Sequence, residues 1–253
     1  MKLTFLGTGT SQGQPMIGCS CDVCTSTNPR DRRLRASALL ETESTRLLID
    51  CGPDFRQQIL PQPFRRIDGL LLTHHHFDHI GGIDDLRPYC KLGDIDIYGN
   101  SMTLKGVKTL FPYCFVDNLY PGVPTLSLHE IHAGTPLRIG DIPILPIEVM
   151  HGKLPILGYS FGTLAYITDM KTIDPLQLEQ LLGVRYLIIN ALRFEREHHS
   201  HQLVQEAIDI ARHIGAERTW LIHSCHHIGL HDDVNRQLPP DIQLAYDGEV
   251  ISF

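Results

Sequence analysis

Four histidines and one aspartate are crowded into six positions, in the segment HHHFDH at 74–79. The segment follows an apolar run, LLL at 70–72, that is typical of a strand buried on both faces. Removing several imidazoles and a carboxylate from water is unfavourable unless each group has a partner. A divalent cation is such a partner, because it binds imidazole nitrogen and carboxylate oxygen at about 2.0–2.2 Å. The spacing therefore predicts a metal-binding loop at the end of a strand.

Three further residues of ligand type stand at the ends of apolar segments. His151 follows IPILPIEVM, Asp169 ends TLAYITD and His223 ends RTWLIH. Each alone is as easily a capping or hydrogen-bonded residue, but together they complete a set that one loop cannot supply. We therefore predict a metal centre that collects seven side chains: His74, His76, Asp78, His79, His151, Asp169 and His223.

A second cluster lies earlier in the chain, where GCSCDVC places Cys19, Cys21 and Cys24 in a C-x-C-x2-C pattern. Three thiolates at this spacing can bind one tetrahedral zinc ion, and a closed structural site needs a fourth ligand. The segment HSCHH at 223–227 supplies three candidates. We favour His226, with Cys225 and His227 as the alternatives. We expect a structural zinc that orders a loop at about residues 11–30.

The elements that must position these residues alternate between strands and helices. Apolar runs predict strands at 3–7, 36–51 (in two pieces), 68–73, 142–149, 156–163, 163–169, 184–190 and 218–223. Helices are expected near 79–91, 101–111, 174–182 and 202–214, and the closing residues 241–253 suggest a hairpin around Asp247-Gly248. This order favours one α/β domain over 1–253, a four-layer αββα sandwich of two sheets with helices outside.

Composition narrows the functional classes. The net charge of −7 gives no basic surface for general nucleic-acid binding. The first residues lack the apolar core of a signal peptide, and no apolar run approaches the ~20 residues that span a bilayer. We therefore expect a cytoplasmic protein with no membrane partner. Thiols stay reduced there, which favours metal binding over disulfides for the close cysteines.

Taken in order, FLGTGTSQGQP, GCSCDVC, THHHFDH, HGKLPILGY, ITD and IHSCH resemble the metallo-β-lactamase superfamily, and within it the PhnP-like phosphodiesterases of the carbon–phosphorus lyase pathway. The resemblance implies the metallo-β-lactamase fold and two cations. His74, His76 and His151 would hold one, and Asp78, His79 and His223 the other. Asp169 would bridge them, and Asp50 would orient ligands from behind.

The resemblance also implies an activity. Members of this family hydrolyse small cyclic phosphodiesters of ribose, notably 5-phosphoribosyl 1,2-cyclic phosphate. Two divalent ions, manganese or zinc, would serve the reaction, beside one structural zinc. Asp78, Asp169 and His201 would form the catalytic group, with His201 as general acid or transition-state stabiliser. A homodimer is a further expectation from the resemblance.

Other interpretations remain open. A tRNA 3′-processing nuclease uses the same ligands, although the net charge of −7 disfavours it. A non-catalytic cofactor-biosynthesis protein of the same fold is a second alternative, and a di-iron centre, which usually has Glu in place of His76, is a third. The arginine run Arg30, Arg32, Arg33 and Arg35 is expected to be a solvated face, with phosphate binding by one arginine as the alternative.

Overall fold

The computed structural model describes residues 1–118 and 121–253, and within them fourteen strands form two seven-stranded sheets. The strands are β1 (Lys2–Gly7), β2 (Ser37–Glu41), β3 (Arg46–Ile49), β4 (Gly69–Leu71), β5 (Ile95–Gly99), β6 (Leu126–Glu130), β7 (Leu137–Ile139), β8 (Ile142–His151), β9 (Leu154–Ser160), β10 (Leu164–Ile167), β11 (Tyr186–Asn190), β12 (Arg218–Ile222), β13 (Ile242–Leu244) and β14 (Val250–Ser252). The α-helices are α1 (Asp22–Thr25), α2 (Phe55–Ile59), α3 (Phe77–Ile80), α4 (Ser101–Leu110), α5 (Pro175–Glu179), α6 (Val204–Ile214) and α7 (His231–Gln237). Short 3-10 helices cover Pro29–Asp31, Ile83–Leu92, Pro112–Cys114 and His226–Ile228.

The two sheets share one pattern of strand directions. The first has the order β14-β1-β2-β3-β4-β5-β6, antiparallel from β14 to β3 and parallel from β3 to β6. The second has the order β13-β12-β11-β10-β9-β8-β7, antiparallel from β7 to β10 and parallel from β10 to β13. The strands predicted between 142 and 169 are β8, β9 and β10, which form an antiparallel meander within this sheet.

Burial of apolar side chains explains the layering. One cluster, with Phe5 and Leu47 of the first sheet and Tyr159 and Trp220 of the second, fills the space between the sheets. A second cluster joins the outer face of the second sheet to α6, and a third joins the outer face of the first sheet to α2 and α4. The predicted four-layer αββα sandwich is therefore confirmed.

The predicted closing hairpin is wrong. β13 pairs with β12 and β14 pairs with β1, so the two strands belong to different sheets. The Asp247-Gly248 turn carries the chain from one sheet to the other. The Asp247 carboxylate accepts hydrogen bonds from Leu34 N at 2.6 Å and Thr8 Oγ1 at 2.7 Å, so long-range contacts direct this turn.

The elements predicted between residues 79 and 139 need correction. The helix predicted near 79–91 is interrupted after Ile80, where Gly82 N donates to Cys51 O, and a 3-10 helix containing Pro88 follows. A Cβ on Gly82 would lie 2.0 Å from Gly52 O, so only glycine allows this approach. Strands β5, β6 and β7 were not predicted from the sequence.

Arg33 is not part of a solvated face, as the arginine run suggested. Its side chain is buried and donates to Thr8 Oγ1 at 2.7 Å and to the carbonyl oxygen of Ala245, and it contacts His231 Nδ1 at 3.2 Å. Arg33 therefore links the segment after β1 to the C-terminal segment and is unavailable to a substrate phosphate. Among the described residues, no helix is long and apolar enough to cross a membrane.

Candidate metal centre

The seven predicted ligands meet at one end of the sandwich, and both sheets contribute. The segment at 74–79 follows β4 of the first sheet, whereas His151 ends β8, Asp169 follows β10 and His223 follows β12 of the second. Asp169 and His223, and also Asp50 after β3, have positive φ angles of 55–57°. This region is rare for residues other than glycine, and such residues are concentrated at functional sites.

The first group of donors consists of His74, His76 and His151, whose ligand atoms lie within 4.8 Å of one another. His74 Nε2 and His76 Nδ1 lie 2.9 Å apart. His74 Nδ1 lies 3.0 Å from Thr73 Oγ1, and His151 Nδ1 lies 2.7 Å from the carbonyl oxygen of Asp169. These contacts occupy one nitrogen of His74 and of His151 and leave the other for a cation.

The second group consists of Asp78, His79, Asp169 and His223, again with ligand atoms within 4.8 Å. Asp169 is central, since its two carboxylate oxygens lie 3.2 Å from His79 Nε2 and 3.1 Å from His223 Nε2. Asp169 also lies within 4.8 Å of His151, which belongs to the first group. The structure therefore brings Asp169 between the two sets, as the resemblance implied.

The residues of this centre fit divalent cations. His79 Nε2 and His223 Nε2 are buried and make no aligned hydrogen bond, although carboxylate oxygens lie close to both. Buried polar nitrogens without a partner are rare and unfavourable. Imidazole nitrogens that point towards carboxylate oxygens in this way can bind a cation that lies between the two kinds of group.

The pKa values of Asp169, Asp78 and His74 agree with this interpretation. Burial would lower the pKa of His79, but Asp169, Asp78 and Asp50 hold it well above its usual range, so a cation bound there would replace a proton. Burial would raise the pKa of Asp169, but His223 and His79 hold it well below its usual range, and His79 holds the pKa of Asp78 low as well. Burial and the neighbouring His79 lower the pKa of His74 well below normal. Ionised carboxylates and a neutral imidazole are the forms that bind metal ions.

His201 borders the same centre. Its ring lies 4.7 Å from that of His151 and 4.8 Å from that of His223, and its Nδ1 lies 3.8 Å from Asp169 Oδ1. Burial and the neighbouring His223 lower the pKa of His201 to about 2, so the free imidazole is neutral at pH 7. Its Nδ1 is buried and has no hydrogen-bond partner among the described residues.

The cysteine cluster lies apart from these groups. Cys19, Cys21, Cys24 and His226 bring their ligand atoms within 4.8 Å of one another, with His226 Nδ1 at 3.2 Å from Cys21 Sγ and 3.4 Å from Cys19 Sγ. His226, and not Cys225 or His227, is the residue at this fourth position. The hydrogen bond from His226 lowers the pKa of Cys21 to about 6, which favours the thiolate that zinc binds.

Sequence reasoning missed the residues that orient the ligands, apart from Asp50. Thr73 donates its backbone N–H and its hydroxyl to Asp50, both at 2.8 Å, and Thr168 Oγ1 donates to Asp169 Oδ2 at 2.7 Å. Each threonine directly precedes a residue of the centre, which is the one signal available in the sequence. His75, to which no ligand role was given, packs against Gly106 of α4.

Comparisons with known proteins agree with this geometry. The model of the beta-lactamase superfamily domain matches residues 45–224. A diphosphatase from the PhnP family has a crystal structure with 37% identity and a TM-score of 0.92, covering 100% of this chain and 96% of that one. Zinc-bound PqqB from Methylobacterium extorquens shares the fold, at 17% identity and a TM-score of 0.77 over the full length of both chains.

Curated relatives are longer proteins, and this chain spans about half the length of those it matches. An octanoyltransferase of Porphyromonas gingivalis is 45% identical over 98% of this chain and 51% of its own. A ribonuclease Z of Methanopyrus kandleri is 30% identical over 53% of this chain and 46% of its own. Given the family match over most of its length and the PhnP-family structural match over all of it, the chain belongs to the metallo-β-lactamase superfamily of metal-dependent hydrolases, as a PhnP-like protein.

Proposed function

We propose that this protein hydrolyses a small phosphodiester in a centre of two divalent cations. The observation that supports this most strongly is the position of Asp169, within 4.8 Å of donor atoms from both groups. A carboxylate between two sets of three donors is the arrangement expected for a bridging ligand. In the proposed centre His74, His76 and His151 hold one cation, and Asp78, His79 and His223 hold the other.

Cations bound there would lower the pKa of water and neutralise the non-bridging oxygens of a phosphate during in-line attack. The residues of the chain have separate tasks. Asp50 and Thr168 hold His79 and Asp169 in their orientations through hydrogen bonds of 2.7 Å. Burial lowers the pKa of His74 and of His76, which keeps these two imidazoles neutral and available as donors.

His201 is proposed to contact the substrate at the rim of the centre. The imidazole of His201 is neutral in the free protein. Its main proposed role is therefore to donate a hydrogen bond to an oxygen of the phosphate or of the leaving group, and general acid catalysis is the secondary role. Its Nδ1 lies 3.8 Å from Asp169 Oδ1, and a ring nitrogen of His201 lies within 4.8 Å of the ligand atoms of His151 and Asp169. This position suits the stabilisation of charge on a departing oxygen.

For the substrate, the resemblance favours a cyclic ribose phosphodiester. The 37% identical relative is a diphosphatase, so the anhydride of two phosphates is the second candidate. A tRNA 3′-processing activity is less well supported, because the net charge is −7 and the ribonuclease Z match covers about half of the chain. We assign no acyl transfer, since about half of the octanoyltransferase lies outside the match. Manganese or zinc is proposed for the centre, and zinc for the cysteine cluster.

The test is turnover of bis-p-nitrophenyl phosphate, a panel of cyclic ribose phosphates and a panel of nucleoside diphosphates, by protein loaded with manganese or with zinc. Asp169→Ala is the inactive reference, and Asp96→Ala, a surface carboxylate paired with His129, is the matched control. Hydrolysis that requires Asp169 but not Asp96 supports the proposal. Normal turnover in Asp169→Ala, or none by the wild type with either metal, contradicts it.

A further inference from the structure

A cavity of about 370 Å³ lies between the candidate metal centre and the cysteine cluster. His201 lines it on the side of the centre and His226 on the side of the cysteines, with Arg193, His198 and Ser11 also in its wall. None of the described residues that line this cavity carries a carboxylate. A wall that contains an arginine and four histidines favours an anion over a cation or a neutral group.

Arg193 supplies the permanent positive charge of this wall. Its Nε donates to the carbonyl oxygen of Arg196 at 2.9 Å, and one terminal nitrogen lies 3.5 Å from the carbonyl oxygen of Glu197. Among the described residues, no carboxylate lies within ion-pair distance of its guanidinium, whereas Arg35, Arg46 and Arg185 each have one. The contacts with carbonyl groups fix the guanidinium in one orientation without neutralising it.

A second cavity, of about 580 Å³, opens on the other side of the centre, where His76 and His151 meet Lys153 and His199. Lys153 is exposed on the turn between β8 and β9, and its ammonium group is a flexible point charge. A planar guanidinium held by its own loop is better suited to bind two oxygens of a phosphate monoester at once. The two sides of the centre therefore differ in what they can recognise.

From these contacts we infer that Arg193 is a specificity-determining residue, which binds a phosphate monoester on the same substrate whose scissile phosphate lies at the candidate metal centre. This inference rests on the proposed function for the position of the scissile group. The second phosphate would occupy the 370 Å³ cavity. The Ser11 hydroxyl and the His198 ring, which also line this cavity, would surround the phosphate as further hydrogen-bonding groups.

Two probes that differ in one phosphate test the assignment: adenosine 2′,3′-cyclic phosphate and the same compound with a 5′-phosphate. The measured quantity is the ratio of their kcat/KM values, which a general loss of folding or metal leaves unchanged. Wild type is expected to prefer the 5′-phosphorylated probe. Arg193→Ala is expected to reduce this preference about 10- to 100-fold, as for a lost charge-assisted hydrogen bond, and Arg193→Lys by less.

Lys153→Ala, on the other side of the centre, is the matched control and is expected to keep the wild-type ratio. The inference is overturned if wild type shows no preference, if the preference survives Arg193→Ala, or if Lys153→Ala removes it instead.

A binding measurement separates this inference from the proposed function. Calorimetry compares adenosine 3′,5′-bisphosphate with adenosine 3′-monophosphate on metal-loaded wild type, Arg193→Ala and Arg193→Lys. A tighter Kd for the bisphosphate that is lost with Arg193 supports the inference even if no diester is hydrolysed. Equal Kd values in the wild type overturn it even if diesters are hydrolysed.

Discussion

His79 Nδ1 lies 2.7 Å from Asp50 Oδ2, and both side chains are completely buried. This hydrogen bond directs His79 Nε2 towards Asp78 and Asp169, each with a carboxylate oxygen at 3.2 Å. Both oxygens of Asp50 are in use, because Oδ1 also accepts from Thr73 N and Oδ2 from Thr73 Oγ1. A residue outside both donor groups thus determines the direction in which a ligand points.

Asp50→Asn is expected to weaken cation binding about 10- to 100-fold, the usual cost of losing a partner that orients a ligand. An amide offers one acceptor where Asp50 uses two, so either Thr73 or His79 would face an NH₂ group. Chelator competition with manganese or zinc measures the change. Asp96→Asn is the control, because Asp96 contacts His129 in a similar pair, at 2.7 Å, on the surface. Equal affinities in both variants would remove Asp50 from this role.

His201→Ala is expected to reduce kcat by about 100-fold while metal content stays normal, within the range usual for proton-transfer groups. The dependence on the leaving group distinguishes its two proposed roles. A general acid matters more for a 2′,3′-cyclic nucleotide, whose leaving group is an alkoxide, than for bis-p-nitrophenyl phosphate, which loses p-nitrophenolate, whereas a stabiliser of the phosphate oxygens affects both equally. A kcat within twofold of wild type on every substrate would rule out both roles.

Cys21→Ser is expected to lose one equivalent of zinc and to lower the Tm, because a hydroxyl is a poor substitute for the thiolate beside His226. Elemental analysis and thermal unfolding measure the two effects. Cys90→Ser is the matched control, since Cys90 lies outside the cluster and is only partly buried. Full zinc occupancy in Cys21→Ser would show that the cluster does not bind the ion.

Asp247→Asn is expected to alter the pH dependence of stability. Burial raises the pKa of Asp247 to about 6, above its ordinary value of 3.8. The folded chain therefore holds this proton more tightly than the unfolded chain, and the stabilisation that follows is present below pH 4 and lost as the pH rises through 6. Between pH 7 and pH 4.5, the free energy of unfolding of the wild type should gain about 1 to 2 kcal/mol relative to Asp247→Asn.

Urea unfolding of both proteins at several pH values measures this difference, with Asp94→Asn, an exposed carboxylate, as reference. A difference between wild type and Asp247→Asn that stays constant with pH would contradict the prediction.

The sequence alone predicted most of the centre, because its signals are local. The HHHFDH segment, His151, Asp169 and His223 each come at the end of an apolar run, and strands that end at the same edge bring such residues together. The αββα architecture followed from the order of the runs, and the pattern of thiols and imidazoles from 19 to 226 was enough to favour His226.

What the sequence did not predict depends on partners far along the chain. The Asp-Gly turn was interpreted as a hairpin because its neighbours are strands, yet Asp247 binds Leu34 and Thr8. Arg33 was assigned to a solvated run, but the carbonyl oxygen of Ala245 and the ring of His231 enclose it. The sequence does not indicate a role for Arg193. A charge without an ion-pair partner can be recognised only when the positions of all neighbouring carboxylates are known.

The donors of the candidate centre come from both sheets, and each group needs a side chain from the second one: His151 for the first group, Asp169 and His223 for the other. During synthesis the HHHFDH segment is therefore finished long before either donor group has all of its side chains. Ion capture would then come after the sandwich has closed, and the ion captured would be the one most available to a finished protein in its compartment.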